Sequence, residues 1–311
     1  MSKIKLFNTL PSSMVSSQNL FVNDYDVVSF KRYIEDESYK EYFLDNRLSN
    51  KNRLCILDSN YDLFSGDSFD VYKYLLVIGE LKPNYYIIPY TIYDTTKSNQ
   101  MYKEWFIEGS LRSVEDVYKM HKSLPLIVPF SDNMDLYVKY LRSMITEKML
   151  LDVYTHANES IYIGINNQMH FLKKLGDMLS KSGMVNLYKT YYPIMNEEAL
   201  YSMGRTLLME REGDVFGPLL KELNIRDVKY HLIETSHPSE LVFHKGLNNP
   251  RICTIDTSLA IDCTMLDIII NKDIKSLFVR PLKSDYRHGS VELDEQKVIN
   301  LLKNINTIKQ M

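Results

Sequence analysis

Short apolar runs alternate with longer amphipathic segments along most of the chain. Each run has four to six residues rich in Ile, Val, Leu or Tyr, which is typical of strands buried on both faces. The predicted strands are Leu54–Leu57, Tyr85–Pro89, Leu126–Pro129, Ile161–Ile165, Lys229–Ile233 and Arg251–Ile255. Apolar residues at helical spacing predict helices over 68–81, 133–145, 167–183 and 235–247, with Phe69, Tyr72, Leu75 and Leu76 forming one stripe. Strands that alternate with helices indicate βαβ units and a parallel sheet.

The architecture that this alternation favours is one domain over residues 1–311, because no Pro/Gly/Ser-rich linker divides the chain. An open doubly wound sheet and a closed barrel both fit the alternation. No GxGxxG follows a strand and no GxxxxGK[ST] is present, so the motifs of open-sheet nucleotide binding are missing. We therefore predict a single (β/α)8 TIM-type barrel, with a helical elaboration around 185–225. A C-terminal helix over 291–305 is expected to pack on the barrel or on a second subunit.

Composition excludes several classes of protein. The chain has 311 residues, of which 45% are hydrophobic and 25% are charged, so it has enough apolar material for a core and is not a disordered chain. A net charge of −3 gives no global attraction for polyanions, so a nucleic acid would have to meet a local basic surface. The absence of a long apolar run argues against membrane insertion, and three cysteines fit a reducing cytoplasm.

Polar residues follow the predicted strands directly, and in a barrel the carboxyl ends of the strands carry the active site. Asp58 comes directly after the strand Leu54–Leu57, and Asp256 after the strand Arg251–Ile255. The other residues near strand ends, which we predict to bind substrate, are Ser59, Tyr90, Asp94, Phe130, Gly164, Asn166, Glu234, Thr257 and Ser258.

Two carboxylates that face one cleft could supply the two catalytic functions of a glycosidic reaction. One could attack an electrophilic sugar carbon while the other manages protons. The structural alternative is that Asp58-Ser59 and Asp256-Thr257-Ser258 only cap the helices that follow. The two interpretations are compatible, since a residue at a helix start can also face a cleft.

The order of these segments resembles the tRNA-guanine transglycosylase superfamily, and in particular its phage and bacterial branch that acts on 7-deazaguanine in DNA. The matching pieces run in family order over about residues 53–288: LCILDSNYDLFSGD, KPNYYIIPYTIYDTT, LIVPFSDNMDLYVKYL, YIGIN, YHLIETSHPSEL, RICTIDTSLAIDC and LFVRPLKSDYRH. The resemblance implies a (β/α)8 barrel that exchanges or removes nucleobases.

The resemblance also implies roles for individual residues. Asp58 matches the aspartate that contacts the base and transfers protons, and Asp256 matches the nucleophilic aspartate. Gly164 matches a glycine whose backbone lies near the base. Arg280, Lys283 and Arg287 fall in the basic stretch before residue 288, which would hold backbone phosphates.

Some positions depart from the family pattern. Tyr90 stands where the family has an aspartate, and Phe130-Ser131 stand where it has Gln-Gly, so recognition of a guanine-like base is in doubt. The zinc-binding cysteine cluster of the tRNA enzymes is missing, and we therefore expect no metal and no other cofactor.

The resulting hypothesis is an enzyme that breaks an N-glycosidic bond in nucleic acid, with DNA favoured. A flipped nucleotide would stack on Tyr90 or Phe130, Asp256 would attack the sugar, and Asp58 would help the base leave. Two alternatives are a degenerate barrel that binds a nucleotide or partner protein without turnover, and an unrelated barrel hydrolase. The expected location is the cytoplasm, that of the host cell if the chain is phage-encoded, without membrane contact, as a monomer or homodimer.

Overall fold

A computed structural model of the chain describes residues 4–11, 14, 22–59, 70–87, 126–129, 160–166, 227–235, 241, 252–271 and 293–311. Eight strands lie within these ranges: β1 (Lys5–Asn8), β2 (Asp26–Ser29), β3 (Cys55–Asp58), β4 (Tyr85–Ile87), β5 (Leu126–Pro129), β6 (Ser160–Asn166), β7 (Asp227–Thr235) and β8 (Ile252–Thr257). The helices in the same ranges are α1 (Phe30–Glu35), α2 (Glu37–Ser49), α3 (Val71–Leu81), α4 (Leu259–Met265) and α5 (Glu295–Gln310).

The helix starts follow from the sequence. Ser29 precedes α1, and aspartates precede α2, α3 and α5. In each case the side chain accepts a hydrogen bond from the backbone N–H three residues later, as when Asp294 accepts from Lys297 at 2.8 Å. A side-chain oxygen at this position satisfies one of the N–H groups that a helix start leaves unpaired.

The described elements divide between two compact units. The first unit contains β1, β8, most of β7, α4 and α5, and its three strands pair in parallel in the order β1, β8, β7. The second unit contains β2 to β5, most of β6 and the helices α1 to α3, and its strands pair in parallel in the order β2, β3, β4, β5, β6.

The predicted single closed (β/α)8 barrel is wrong, because the described strands of each unit form an open parallel ladder that does not return to its first strand. Hydrogen bonds at the outer edge of β1 give one physical reason why the ladder does not continue past this strand. The backbone of Leu6 exchanges hydrogen bonds with the N–H and carboxylate of Asp24 at 2.9 and 2.8 Å. The Asn23 side chain bonds the N–H and carbonyl of Asn8 at 2.6 and 3.1 Å. These groups occupy the edge positions that a further strand would use.

Six of the eight strands agree with the predicted runs to within two residues at each described end, whereas β1 and β2 were not predicted. The helix predicted over 68–81 lies at Val71–Leu81, and the one predicted over 291–305 lies at Glu295–Gln310. The predicted helices over 133–145 and 167–183 and the elaboration around 185–225 lie outside the described residues, as does the helix over 235–247 except for Leu241. The single-domain prediction stays a prediction.

The buried stripe predicted for α3 is wrong in part. Tyr72 and Leu76 are 78% and 72% exposed, whereas Tyr74, Ile78 and Leu81 are buried. The run YKYLLVI is apolar nearly all round, so spacing alone does not select one stripe. In the structure the Tyr74 hydroxyl donates to the carbonyl of Ile87 at 2.6 Å, which fixes the face that α3 turns toward its sheet.

Candidate functional site

Asp256 is the penultimate residue of β8 and lies at the carboxyl end of the parallel strands of the first unit. Its side chain is 1% exposed, and it is paired in register with Phe7 of β1. The surrounding sequence ICTIDT is almost entirely buried, in the pattern of a central strand. The strand therefore holds a carboxylate away from solvent.

The sheet face that carries Asp256 also carries a histidine. Side chains alternate along a strand, so Thr254 and Asp256 lie on the same face about 7 Å apart along β8. His231 of β7 is paired with Thr254, and its Nδ1 lies 2.8 Å from the Thr254 hydroxyl oxygen. Tyr25 packs edge-on against the His231 ring at 6.3 Å and lies 5.7 Å from the ring of Phe7. A buried carboxylate, an imidazole and aromatic rings thus share one face.

The hydroxyls that follow Asp256 have local partners. The N–H of Leu259 bonds to the Thr257 hydroxyl oxygen at 3.2 Å, and the Ser258 hydroxyl donates to the Asp262 carboxylate at 2.8 Å. Both contacts lie at the start of α4, but the side chain of its N-cap residue, Ser258, accepts no capping hydrogen bond. The predicted role of Thr257 and Ser258 in substrate binding stays a prediction.

The carboxyl end of β1 adds two polar residues that the sequence analysis missed. Asn8 and Thr9 are 0% and 4% exposed, and among the described residues neither Asn8 Oδ1 nor Thr9 Oγ1 has a hydrogen-bond partner. The Thr9 N–H donates to the carbonyl of Thr257 at 2.9 Å, which ties this end of β1 to the end of β8. The pattern that identified Asp58 and Asp256, polar residues directly after a short apolar segment, could also have identified Asn8 and Thr9. It was overlooked because β1 itself was not recognised.

The second unit has a comparable strand end. Asp58 is the last residue of β3, and Ser59 follows it; both are 1% exposed. Asp58 is paired with Ser29 on one side and with Ile87 on the other. Among the described residues the Ser59 hydroxyl has no hydrogen-bond partner. Burial, and next the nearby charge of Asp58, raises the pKa of the Tyr74 hydroxyl well above its ordinary value.

The other predicted site residues are distributed as follows. Gly164 lies in β6 opposite Pro129 of β5, and Asn166 ends β6. Glu234 lies in β7, in the stretch between Leu232 and Thr235 where the register with β8 shifts. Tyr90, Asp94, Phe130, Arg280, Lys283 and Arg287 lie outside the described residues. Asp58 and Asp256 belong to different units, so their convergence on one cleft stays a prediction.

The described residues contain no group of three or more His, Cys, Asp or Glu side chains that could hold a metal ion. In the same residues no helix has the length and apolar character needed to cross a membrane. All three cysteines are described, and none of them forms a disulfide bond. Burial raises the pKa of Cys55 and of Cys263 to about 12, so these two thiols stay protonated near neutral pH and are poor nucleophiles and metal ligands.

No protein-family model matches the chain, and no curated protein matches it.

Proposed function

We propose that the protein breaks N-glycosidic bonds between nucleobases and sugars in nucleic acid, with DNA as its substrate and Asp256 as its nucleophile. The observation that carries the proposal is the position of Asp256, a carboxylate 1% exposed at the carboxyl end of a parallel strand. Ligands of α/β proteins bind at this end of parallel strands. A carboxylate held there by a buried strand has a fixed direction of attack.

The reaction would proceed in two steps. In the first, an Asp256 carboxylate oxygen forms a bond to the anomeric carbon while the bond from that carbon to the base nitrogen breaks, and the base leaves with the electron pair. A proton from Asp58 would neutralise the departing base. In the second step, water or a second base attacks the anomeric carbon, the bond to Asp256 breaks to release a carboxylate, and the ionised Asp58 takes the proton from the attacking group. Water gives base excision, and a second base gives base exchange.

The other parts of the proposal follow the sequence. Tyr90 or Phe130 would stack on the flipped base, and Arg280, Lys283 and Arg287 would contact backbone phosphates. Because Asp256 is buried, nucleotide binding requires a local opening of the surface above it. A reducing cytoplasm, that of a host cell if the chain is phage-encoded, agrees with three cysteines that form no disulfide bond.

The decisive experiment is covalent trapping. Oligonucleotides with a 2′-fluoroarabinose sugar under the target base slow the second step, so the sugar–Asp256 ester should accumulate. A panel of natural and hypermodified bases would be incubated with the full chain, and intact-protein and peptide mass spectrometry would locate the adduct. We expect a mass increase on the peptide that contains Asp256.

Matched Asp→Asn variants make the result specific. Asp256→Asn should abolish the adduct, and Asp58→Asn should slow its formation by roughly a hundredfold or more, in the range that general acid catalysis provides. Asp267→Asn is the control, since Asp267 is an exposed aspartate in the same unit as Asp256. Equal labelling of the wild type and of Asp256→Asn would refute the proposal. Binding without any adduct would instead favour a nucleotide-binding protein without turnover.

A further inference from the structure

We infer that the Thr9 hydroxyl is a ligand for the pentose of the nucleotide held at Asp256; this inference rests on the proposed function. Thr9 lies just beyond the last residue of β1, in the same unit as Asp256. Its role would be to orient the sugar so that the anomeric carbon faces the carboxylate.

The position of Thr9 follows from the strand register. Asn8 is paired with Thr257, and the bond from the Thr9 N–H to the Thr257 carbonyl continues the parallel ladder by one residue. Thr9 therefore lies opposite Ser258, and the alternation of side chains places it on the face that carries Phe7 and Asp256. The strand spacing and rise put the Cα atoms of Thr9 and Asp256 about 8 Å apart on this face. At that separation the hydroxyl and the carboxylate would contact two sides of a five-membered ring once the surface above them opens.

The Thr9 hydroxyl differs from neighbouring hydroxyls in its hydrogen bonding. The hydroxyls of Thr254, Thr257 and Ser258 each have a partner within 3.2 Å. The Thr9 hydroxyl is buried at 4% exposure and has no partner among the described residues. Buried hydroxyls in native proteins are almost always hydrogen-bonded, so this atom requires a partner other than the described residues.

The chemistry of the surroundings selects a sugar. A phosphate on this face would be repelled by the Asp256 carboxylate, and a phosphate is normally bound by Arg, Lys or several N–H groups. A neutral hydroxyl next to a carboxylate suits the hydroxyl and ring oxygens of a pentose, which offer both donors and acceptors. The inference thus names the sugar of the nucleotide as the part of the substrate that Thr9 contacts.

The test uses Thr9→Val and Thr9→Ser in the full chain. Val keeps the shape of Thr and removes the hydroxyl, whereas Ser keeps the hydroxyl and loses only a methyl group. Two quantities would be measured with the same 2′-fluoroarabinose oligonucleotides: the equilibrium affinity by fluorescence anisotropy, and the rate of adduct formation at Asp256 by mass spectrometry. Thermal unfolding would verify that both variants fold.

We expect Thr9→Val to lower the affinity, and the adduct rate at subsaturating oligonucleotide, by about tenfold to a hundredfold, since a sugar oxygen would lose its partner. Thr9→Ser should stay within about threefold of the wild type. Affinity and rate unchanged in Thr9→Val would overturn the inference, as would an equal loss in both variants. A wild type that binds without forming an adduct would refute the proposed chemistry, while a loss of binding confined to Thr9→Val would still support sugar contact. A wild type that neither binds nor reacts would refute both.

Discussion

Two buried polar clusters of this protein differ in whether their atoms have partners. In the second unit, Asp26 receives hydrogen bonds on both carboxylate oxygens, from Arg53 Nε at 2.9 Å and from Asn46 Nδ2 at 3.1 Å. In the first unit, Asn8 Oδ1 and Thr9 Oγ1 lack a partner among the described residues. Buried polar groups stabilise a fold only when they are paired. The Asp26 cluster can therefore be understood as structural, whereas the end of β1 requires another explanation.

The positions of the two clusters agree with this distinction. Asp26 is the first residue of β2 and lies at the amino end of its strand, whereas Thr9 follows the last residue of β1. Ser59, another buried hydroxyl without a described partner, follows the last residue of β3. Ligands of parallel α/β sheets bind at the carboxyl ends of the strands. The comparison agrees with a structural role for the paired groups of the Asp26 cluster and with the proposed binding site at the carboxyl end of β1.

The largest expected effect is on the paired cluster. Arg53→Leu would leave the Asp26 carboxylate, which is 1% exposed, without its ionic partner, and removal of one member of a buried ion pair costs about 3–5 kcal/mol. The free energy of unfolding from urea titrations followed by circular dichroism would measure this loss. Lys73→Met is the control, because the Lys73 and Asp70 side chains are 61% and 43% exposed and such pairs contribute little. A loss below about 1 kcal/mol in Arg53→Leu would show that Asp26 does not depend on Arg53.

A cluster of paired polar groups around Asn304, in the first unit, should also lose stability when one member is removed. The Asn304 side chain accepts from the Ile270 N–H at 2.7 Å and donates to the Thr264 hydroxyl and the Ile268 carbonyl, both at 3.0 Å. Asn304→Leu would remove the partner that Asn304 gives to the Ile270 N–H and the Ile268 carbonyl, and we expect a loss of about 2–4 kcal/mol in the free energy of unfolding. Asn306→Leu, at an exposed position of the same helix, should unfold like the wild type. Equal losses in the two variants would mean that the hydrogen bonds are not the cause.

The pH dependence of stability tests the ionisation of the Asp26 carboxylate. Burial raises the pKa of Asp26 above its ordinary 3.8, and the charge of Arg53 offsets this only in part. The folded protein therefore holds the proton more tightly than the unfolded chain. The corresponding stability is fully present below pH 3.8 and is lost as the pH rises through the folded-state pKa.

We accordingly expect the free energy of unfolding of the wild type, relative to Asp26→Asn, to fall as the pH rises above 3.8. Urea titrations across this range would measure the difference. In Arg53→Leu the fall in stability should continue to higher pH, because the positive charge that favours the ionised form of Asp26 is gone. A difference that rises with pH instead would show that the Arg53 pairing outweighs burial.

The difference between the strands that were predicted and those that were missed has a local cause. Leu126–Pro129 and the other predicted runs are almost continuously apolar, so their burial can be inferred from the sequence. The strands KLFN and DVVS begin and end with polar residues. Asp26 can occupy a buried strand because Arg53, distant in sequence, is its partner. Such compensation between distant residues is not visible in a local pattern, and neither is the occupation of the β1 edge by Asn23 and Asp24 that argues against a closed barrel.

The sequence predicted residues of the candidate site only on the strands that it also predicted. Asp58 and Asp256 lie at the carboxyl ends of strands found from the sequence, and both are placed there by the structure. Asn8 and Thr9 were missed together with β1. The proximity of His231 to Thr254 depends on the pairing of β7 with β8 and on its irregular register, which no sequence pattern specifies.

The smallest expected effect is also the sharpest test of the comparison. Thr9→Val removes a buried hydroxyl that has no partner among the described residues, so we expect a free energy of unfolding equal to the wild type within about 0.5 kcal/mol, or slightly higher. Thr264→Val is the matched variant in the same unit, because the Thr264 hydroxyl is buried, donates to the Ala260 carbonyl at 2.7 Å and accepts from Asn304. Its loss should cost about 1–3 kcal/mol. If urea titrations gave equal losses for both, the Thr9 hydroxyl would have a partner within the folded chain, and the contrast between the two kinds of cluster would disappear.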